Sequence, residues 1–363
     1  MMRLVLAPMV LLLMAAAPLK PAPVPMPPPA PPIIIAHRGA SADRPEHTLA
    51  AYERAIEQGA DFIETDLVAT KDHQLVARHE NEISGTTDVA SRPEFAGRKT
   101  TKTIDGETLS GWFTEDFTLA ELKTLRARER LPQLRPDNAA FDGQFEIPTL
   151  AEIIALAKSG TARTGRTIGI YPETKHPSYF RALGLPLEPV LLAALRGAGW
   201  TTAAAPVFIQ SFEVDNLKAL KSQTGVRLIQ LMAATGKSAD GYDYAALSAA
   251  DGLKRVAQYA AGIGPEKAMV IARAAGGGLG APTELVRDAH AAGLEVHPWT
   301  FRPENYFLPE PLKSGSDPRA AGDVDTEIRA YLAAGIDGLF TDSTAAAIKA
   351  LAPLPGRANP ARN

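Results

Sequence analysis

From Ile33 to Thr341, short apolar runs alternate with segments of helical periodicity, and this alternation restricts the chain more than any other feature. Residues 33–36 are apolar throughout, and residues 61–68 carry Phe62, Ile63, Leu67 and Val68 around two acids. Further runs lie at 168–171, 206–210, 226–231, 268–272, 294–299 and 338–341. Between them, helical patterns are plainest at 187–195, 214–221, 282–292 and 325–334. A further helix, opened by Pro45, presents Leu49, Tyr52, Ala55 and Ile56 at i, i+3, i+4 spacing. Gly199, Gly225, Gly293 and Gly335 stand where a helix gives way to a strand, the position of a C-terminal glycine cap. Strands that alternate with helices run parallel, joined by helical crossovers. Eight such units predict an α/β fold of the (β/α)8 TIM-barrel type. The alternative is an open doubly wound sheet. Gly276-Gly277-Gly278 does not supply the phosphate-binding fingerprint that such a sheet usually carries.

Two stretches interrupt the rhythm. Residues 81–147 are polar, with Trp112-Phe113 and one periodic helix starting near Thr118, and are too long for an ordinary loop. They predict a small inserted domain between the second and third barrel strands, capping the mouth. A second polar insertion, residues 304–323, follows the seventh strand. Both follow strands, on the face where barrel active sites sit. The barrel is expected over residues 33–355, with a tail at 356–363. Ahead of it, Arg3, the apolar run 4–13 and Ala15-Ala16-Ala17 form a signal peptide over residues 1–17. Pro18 directly after the alanines disfavours a cut there, so retention as an anchor is the alternative. Residues 18–32 are proline-dense, an extended tether. Export to the periplasm or outside the cell is expected, with no stable membrane span after processing.

The chain has 363 residues and a formal charge of -3, with both signs mixed and no basic stripe, which argues against nucleic acid as a partner. Cysteine is absent, which removes disulfides, thiolate metal sites and a cysteine nucleophile.

The chemistry concentrates at strand ends. Glu64 and Asp66 are i and i+2 on a strand and face one side. Two carboxylates aimed into one space repel unless a cation or a shared proton intervenes, and oxygen ligands suit Ca2+ or Mg2+. A lone E-x-D is usually a solvated edge; the apolar neighbours of this one place it on a buried strand. Glu173 in Tyr171-Pro172-Glu173-Thr174-Lys175 is a third candidate carboxylate. His37 follows the first apolar run and His79 follows Leu75-Val76-Ala77; either alone would more often be structural than a proton carrier. Arg38 can clamp a phosphate with two parallel hydrogen bonds. Together the set fits metal-assisted phosphoryl transfer. Trp299 and Phe301 share a side at the end of the seventh strand and are expected, with Phe212, to line the pocket rather than the barrel core. His297 alternates with Trp299; a place near the site and a place packed away from it are equal readings. His47, His73, His176 and His290 receive no role.

Residues 35–40 (Ile-Ala-His-Arg-Gly-Ala), 44–48 (Arg-Pro-Glu-His-Thr), 59–67 (Gly-Ala-Asp-Phe-Ile-Glu-Thr-Asp-Leu) and 72–79 resemble the glycerophosphodiester phosphodiesterase family. So do residues 171–175, Gln210-Ser211-Phe212, residues 296–302 and residues 335–342. The long insertion is similar to that of the larger periplasmic bacterial branch. The resemblance implies hydrolysis of a small glycerophosphodiester to sn-glycerol 3-phosphate and an alcohol through a cyclic phosphate. It implies His37 and His79 as general acid and base, and Glu64, Asp66 and Glu173 as ligands of a divalent cation, Ca2+ or alternatively Mg2+. Arg38 would contact the phosphate, with Lys175 also in the site. His47 and Glu80 depart from the commoner asparagine and aspartate of relatives. Two rivals follow: a phospholipase-D-like or phosphoinositide-type enzyme acting on lipid, with Trp112-Phe113 as its wedge, and a non-catalytic surface-binding barrel.

Overall fold

The computed structural model describes residues 31–352; the expected leader, most of the tether and the tail lie outside the described residues. Eight parallel strands form the barrel: β1 (Ile33–Ala36), β2 (Phe62–Ala69), β3 (Gly169–Thr174), β4 (Phe208–Ser211), β5 (Arg227–Met232), β6 (Gly262–Pro265), β7 (Glu295–Val296) and β8 (Gly338–Thr341). They pair in the order β7-β6-β5-β4-β3-β2-β1-β8. Beyond its two regular residues β7 continues irregularly along β6, with His297 N donating to the Ile263 carbonyl at 2.9 Å and Trp299 N to that of Pro265 at 3.1 Å. Contacts from β8 draw the ring together: Asp337 N to the Val296 carbonyl at 3.0 Å and Phe340 N to that of Pro298 at 3.0 Å. The barrel is nearly closed, as the alternation predicts. One short extra strand, Leu75–Ala77, pairs antiparallel with the end of β2 and carries the chain back towards His79.

Period-two geometry sorts the barrel interior into layers. Ile35, Phe62, Tyr171, Phe208, Ile229 and Phe340 form one buried cluster. Tyr171 stacks on Phe208 at 5.0 Å and meets Phe340 edge-on at 5.0 Å. Two residues further along their strands stand His37, Glu64, Glu173, Gln210 and Asp342. An aromatic plug therefore floors a charged layer at the C-terminal ends of the strands.

The sixth strand lies away from its expected place. Residues 268–272 form the short helix Lys267–Val270 and the start of a two-stranded hairpin, Ile271–Arg273 with Leu279–Pro282, whose turn contains the three glycines. The barrel strand is the Gly262-Ile263-Gly264-Pro265 stretch, which shows neither β-branched enrichment nor alternation. Its first glycine is required by crowding. A Cβ on Gly262 would stand 2.7 Å from the Glu295 carbonyl oxygen of the neighbouring strand. The first helix also starts later than expected, at Leu49, where the Thr48 hydroxyl accepts from Ala51 N.

Residues 81–147 do not form a domain with a core of its own. They are short pieces: the hairpin Thr100–Ile104 with Glu107–Gly111, three 3-10 turns, and the helices Leu119–Leu122 and Pro136–Ala139. The first of these helices starts where expected, with Thr118 and Glu121 forming a reciprocal capping box. Phe95, Trp112, Phe117, Leu122 and Leu125 join the same continuous core as the residues between the barrel and its helices. Trp112 is buried and donates its indole N–H to the Phe95 carbonyl at 2.7 Å, and Phe113 has no exposed surface. The pair is core, and the lipid-wedge expectation is wrong. Among the described residues, no helix is long and apolar enough to cross a membrane.

A substitution follows from the β6 packing. Gly262→Ala should destabilise the fold by about 1–3 kcal/mol, because the neighbouring strand must yield. Gly197→Ala, on an exposed helical stretch with nothing near its Cβ, should stabilise by roughly 0.5–1 kcal/mol. Urea midpoints of the two variants read the difference; equal midpoints would refute the crowding argument.

Candidate active site

The turn after β1 sets the geometry. Arg38 (φ 59°) and Gly39 (φ 90°) are both left-handed, and a Cβ at Gly39 would stand 2.7 Å from the backbone of Ala51. This reversal aims the Arg38 N–H at Glu64 Oε2, 2.6 Å away. The Arg38 guanidinium then lies 3.0 Å from Glu46 and 3.6 Å from Asp66.

A cavity of about 450 Å3 opens at this end of the barrel, lined by His37, Arg38, Glu64, Asp66, His79, Glu173, Lys175, Phe212 and Trp299. Nine of the ten residues singled out from the sequence thus share one space. The exception is Phe301. It has no exposed surface and packs edge-on against Tyr331 at 4.9 Å, on the outer side of the barrel wall. Its expected role as pocket lining fails because the chain does not keep regular strand alternation past Val296. Trp299 does face the cavity, bonded through its indole N–H to the Gly264 carbonyl at 2.8 Å and lying edge-on to Phe212 at 5.9 Å. His297 sits in the aromatic plug with Nδ1 2.9 Å from the Tyr171 hydroxyl, so it is structural.

The carboxylates are crowded. Asp66 and Glu173 are direct cross-strand partners, and both are buried with Glu64. Burial and the neighbouring Asp66 push Glu64 well above the usual carboxylate range. Burial, with Asp66 adding to it, lifts Glu173 to about 8 despite Lys175 Nζ at 3.1 Å. Burial also pushes Asp66 up, but His47, His79 and a hydrogen bond with Glu64 together outweigh it and hold that carboxyl well below its ordinary value. Asp66 Oδ2 is 2.9 Å from His47 Nε2, while Asp66 Oδ1 is buried and has no hydrogen-bond partner in the structure. Among the described residues, His47, Glu64 and Asp66 bring ligand atoms within 4.8 Å of one another. An orphaned carboxylate oxygen among mutually repelling acids fits a hard divalent cation. His47, given no role from the sequence, has both ring nitrogens bonded, Nδ1 lying 2.7 Å from the Tyr52 hydroxyl. It is better placed to orient Asp66 than to ligate. Tyr52 is a buried residue of the helix Leu49–Gln58, five positions after His47.

Both histidines have a carboxylate on Nδ1. His37 Nδ1 is 2.6 Å from Asp342 Oδ1, and His79 Nδ1 bonds to Glu80 Oε1. Burial and Arg38 lower His37 to about 4 against the opposing pull of Asp342. Burial, Arg38 and Lys175 lower His79 to about 3. Both are therefore neutral at pH 7, with Nε2 as the nitrogen left for proton exchange. Burial pushes Asp342 up, but Arg302, Arg135 and His37 outweigh it and hold it anionic. Asp342 and Glu80 were not anticipated as partners. The first directly follows β8, and the second stands beside His79, so position alone is the available signal.

The profile of the glycerophosphoryl diester phosphodiesterase family matches residues 37–346. The chain is 37% identical over 327 residues to the glycerophosphodiester phosphodiesterase GDPD6 of Arabidopsis thaliana, covering 86% of this chain and 84% of that one. It is 31% identical over 336 residues to a glycerophosphodiester phosphodiesterase of Haemophilus influenzae, covering 85% and 87%. In fold it is similar to an Oleispira antarctica phosphodiesterase solved in complex with the product sn-glycerol-3-phosphate, with TM-score 0.60, 20% identity and coverage of 89% and 97%. It is also similar to a glycerophosphodiester phosphodiesterase from Agrobacterium tumefaciens, with TM-score 0.52, 20% identity and coverage of 87% and 98%. With the family profile running from the first cavity histidine to beyond the last barrel strand, the chain belongs to the glycerophosphoryl diester phosphodiesterase family.

Proposed function

We propose that this protein hydrolyses small glycerophosphodiesters to sn-glycerol 3-phosphate and an alcohol, with His37 and His79 as proton carriers. The observation that carries this reading is the shared cavity: two carboxylate-oriented histidines, Arg38 and three buried acids face one space. Each imidazole is tethered through Nδ1–H, so the neutral ring can take a proton at Nε2 and its imidazolium form can give one. In the first step the glycerol 2-hydroxyl loses its proton to one histidine as its oxygen bonds to phosphorus. The bond from phosphorus to the alcohol oxygen breaks, and the other histidine, which enters the step as imidazolium, protonates that oxygen from Nε2. Water then opens the cyclic phosphate with the two roles exchanged. A phosphodiester anion near Arg38 and Lys175 offsets the positive charge that lowers His79, which favours its protonated form. Arg38 and Lys175 hold the phosphoryl oxygens, and Phe212 and Trp299 pack against the glycerol carbons. Glu64, Asp66 and Glu173 are the residues that would hold Ca2+, or alternatively Mg2+, with His47 fixing Asp66. That ion would neutralise charge on the phosphoryl oxygens.

Purified protein supplied with Ca2+ or Mg2+ should release glycerol 3-phosphate from glycerophosphocholine, and excess chelator should abolish release. His37→Ala should lower kcat by about 10²–10⁴-fold while the melting temperature stays near that of the parent. Release that ignores chelator, or a His37→Ala variant with parental turnover, would overturn the mechanism.

Export is part of the same reading, supported by residues 1–17 as a leader and the proline-rich segment after it. N-terminal sequencing of protein recovered from the periplasm or medium should find the leader removed. Full-length chain confined to the cytosol would contradict it.

A further inference from the structure

Two arginines from residues 81–147 reach the barrel mouth, and each ends on a carboxylate that holds one of the cavity histidines. Arg135 donates from Nη2 to Asp342 Oδ2 at 2.6 Å, and the other oxygen of that carboxylate lies 2.6 Å from His37 Nδ1. Its Nε holds Glu304 Oε1 at 2.5 Å, and its Nη1 holds the Ser41 carbonyl at 2.9 Å. Ser41 in turn donates its hydroxyl to the His37 carbonyl at 2.8 Å. Arg130 repeats the pattern on the other side. Its Nη2 donates to Glu80 Oε2 at 2.7 Å, and Glu80 Oε1 is the partner of His79 Nδ1. Its Nε and Nη2 also grip Glu46 at 2.8 and 2.7 Å.

A carboxylate bonded to histidine through one oxygen can still swing about its own stem. Bonded through the second oxygen to a planar guanidinium, it cannot. The guanidinium charge also keeps the carboxylate ionised, so the shared proton stays on the ring and Nε2 remains the exchanging nitrogen. Partners of this kind orient catalytic imidazoles, and their removal typically lowers activity by about 10–100-fold.

We infer that Arg130 and Arg135 are positioning residues for the two proton carriers, so that residues 81–147 complete the active site as well as covering it. The inference rests on the assignment of His37 and His79 as acid and base. Asp342 has a second cation, with Arg302 Nε at 2.9 Å from Oδ2, whereas Arg130 is the one cation paired with Glu80 among the described residues. Loss of Arg130 is therefore the more damaging of the two for its histidine.

The test compares Arg130→Ala, Arg135→Ala, their lysine counterparts and Arg128→Ala, whose half-exposed side chain pairs with Asp142 and touches neither histidine couple. Each is assayed on glycerophosphocholine and on the p-nitrophenyl diester of glycerol phosphate, whose leaving group departs without a proton. Both alanine variants of the positioning arginines should lower kcat on glycerophosphocholine by about 10–100-fold, with partial recovery in the lysine variants. On the nitrophenyl ester the two should diverge: the one behind the acid histidine recovers towards the parent, and the one behind the base stays slow. Arg128→Ala should match the parent. Parental rates in the alanine variants, or losses that are equal on the two esters for both arginines, would overturn the inference; where an alanine variant does not fold, its lysine counterpart is read on the same two esters. His37→Ala and His79→Ala run alongside: turnover retained in those two would show that the histidine assignment itself has failed.

Discussion

The structure turns on anions placed where water is scarce. Glu64 and Asp66 point inward from one strand, with Glu173 beside Asp66 on the next, all above an aromatic floor that excludes solvent from below. At an effective dielectric of about 20, two such charges roughly 4–5 Å apart repel by about 3–4 kcal/mol. The protein answers part of this with Arg38, Lys175 and His47. The remainder shows as the raised affinity of Glu64 and Glu173 for protons. Because the folded chain then holds more protons than the unfolded one, Glu173 weakens the fold as pH rises from the ordinary carboxylate range through about 8, and Glu64 acts in the same direction. A divalent cation at the barrel mouth, as proposed, would relieve this repulsion.

The rest of the mouth fixes the groups around that site. The reversal at Arg38-Gly39 brings a backbone N–H to Glu64, while carboxylates just after β8 and beside His79 hold the imidazoles. Glu46 ties Arg38 to Arg130, so Arg38 and one histidine couple share an ionic network. Lone surface ion pairs contribute little, but this network is largely buried and geometrically over-determined, which is where paired charges act on specificity of arrangement.

Much of this was legible in the residues. Seven strands follow from apolar runs, and the cavity residues stand at strand ends because period two carries an inward aromatic into an inward acid, as in Phe62-Ile63-Glu64-Thr65-Asp66. β6 was hidden because close packing against Glu295 demands glycine at 262, which erases the apolar signature of a strand. Phe301 was misplaced because alternation was extended past the point where the β7 backbone loses regularity. The Arg130 and Arg135 contacts span 50 and 207 residues of chain, and no local pattern encodes pairings of that range. The short elements of residues 81–147 read as a separate cap because their apolar residues are spaced for a shared core that only the barrel supplies.

The most direct test of the central claim is a calorimetric titration of chelator-stripped protein with Ca2+ at pH 7, in two buffers of different ionisation enthalpy. With Glu173 held near 8 and Glu64 raised as well, binding must displace protons, so the observed heat should differ between buffers by about one proton per ion or more. Affinity should strengthen as pH rises towards 8. Absence of binding, or binding whose heat is identical in both buffers, would contradict the claim that these buried carboxylates form a cation site.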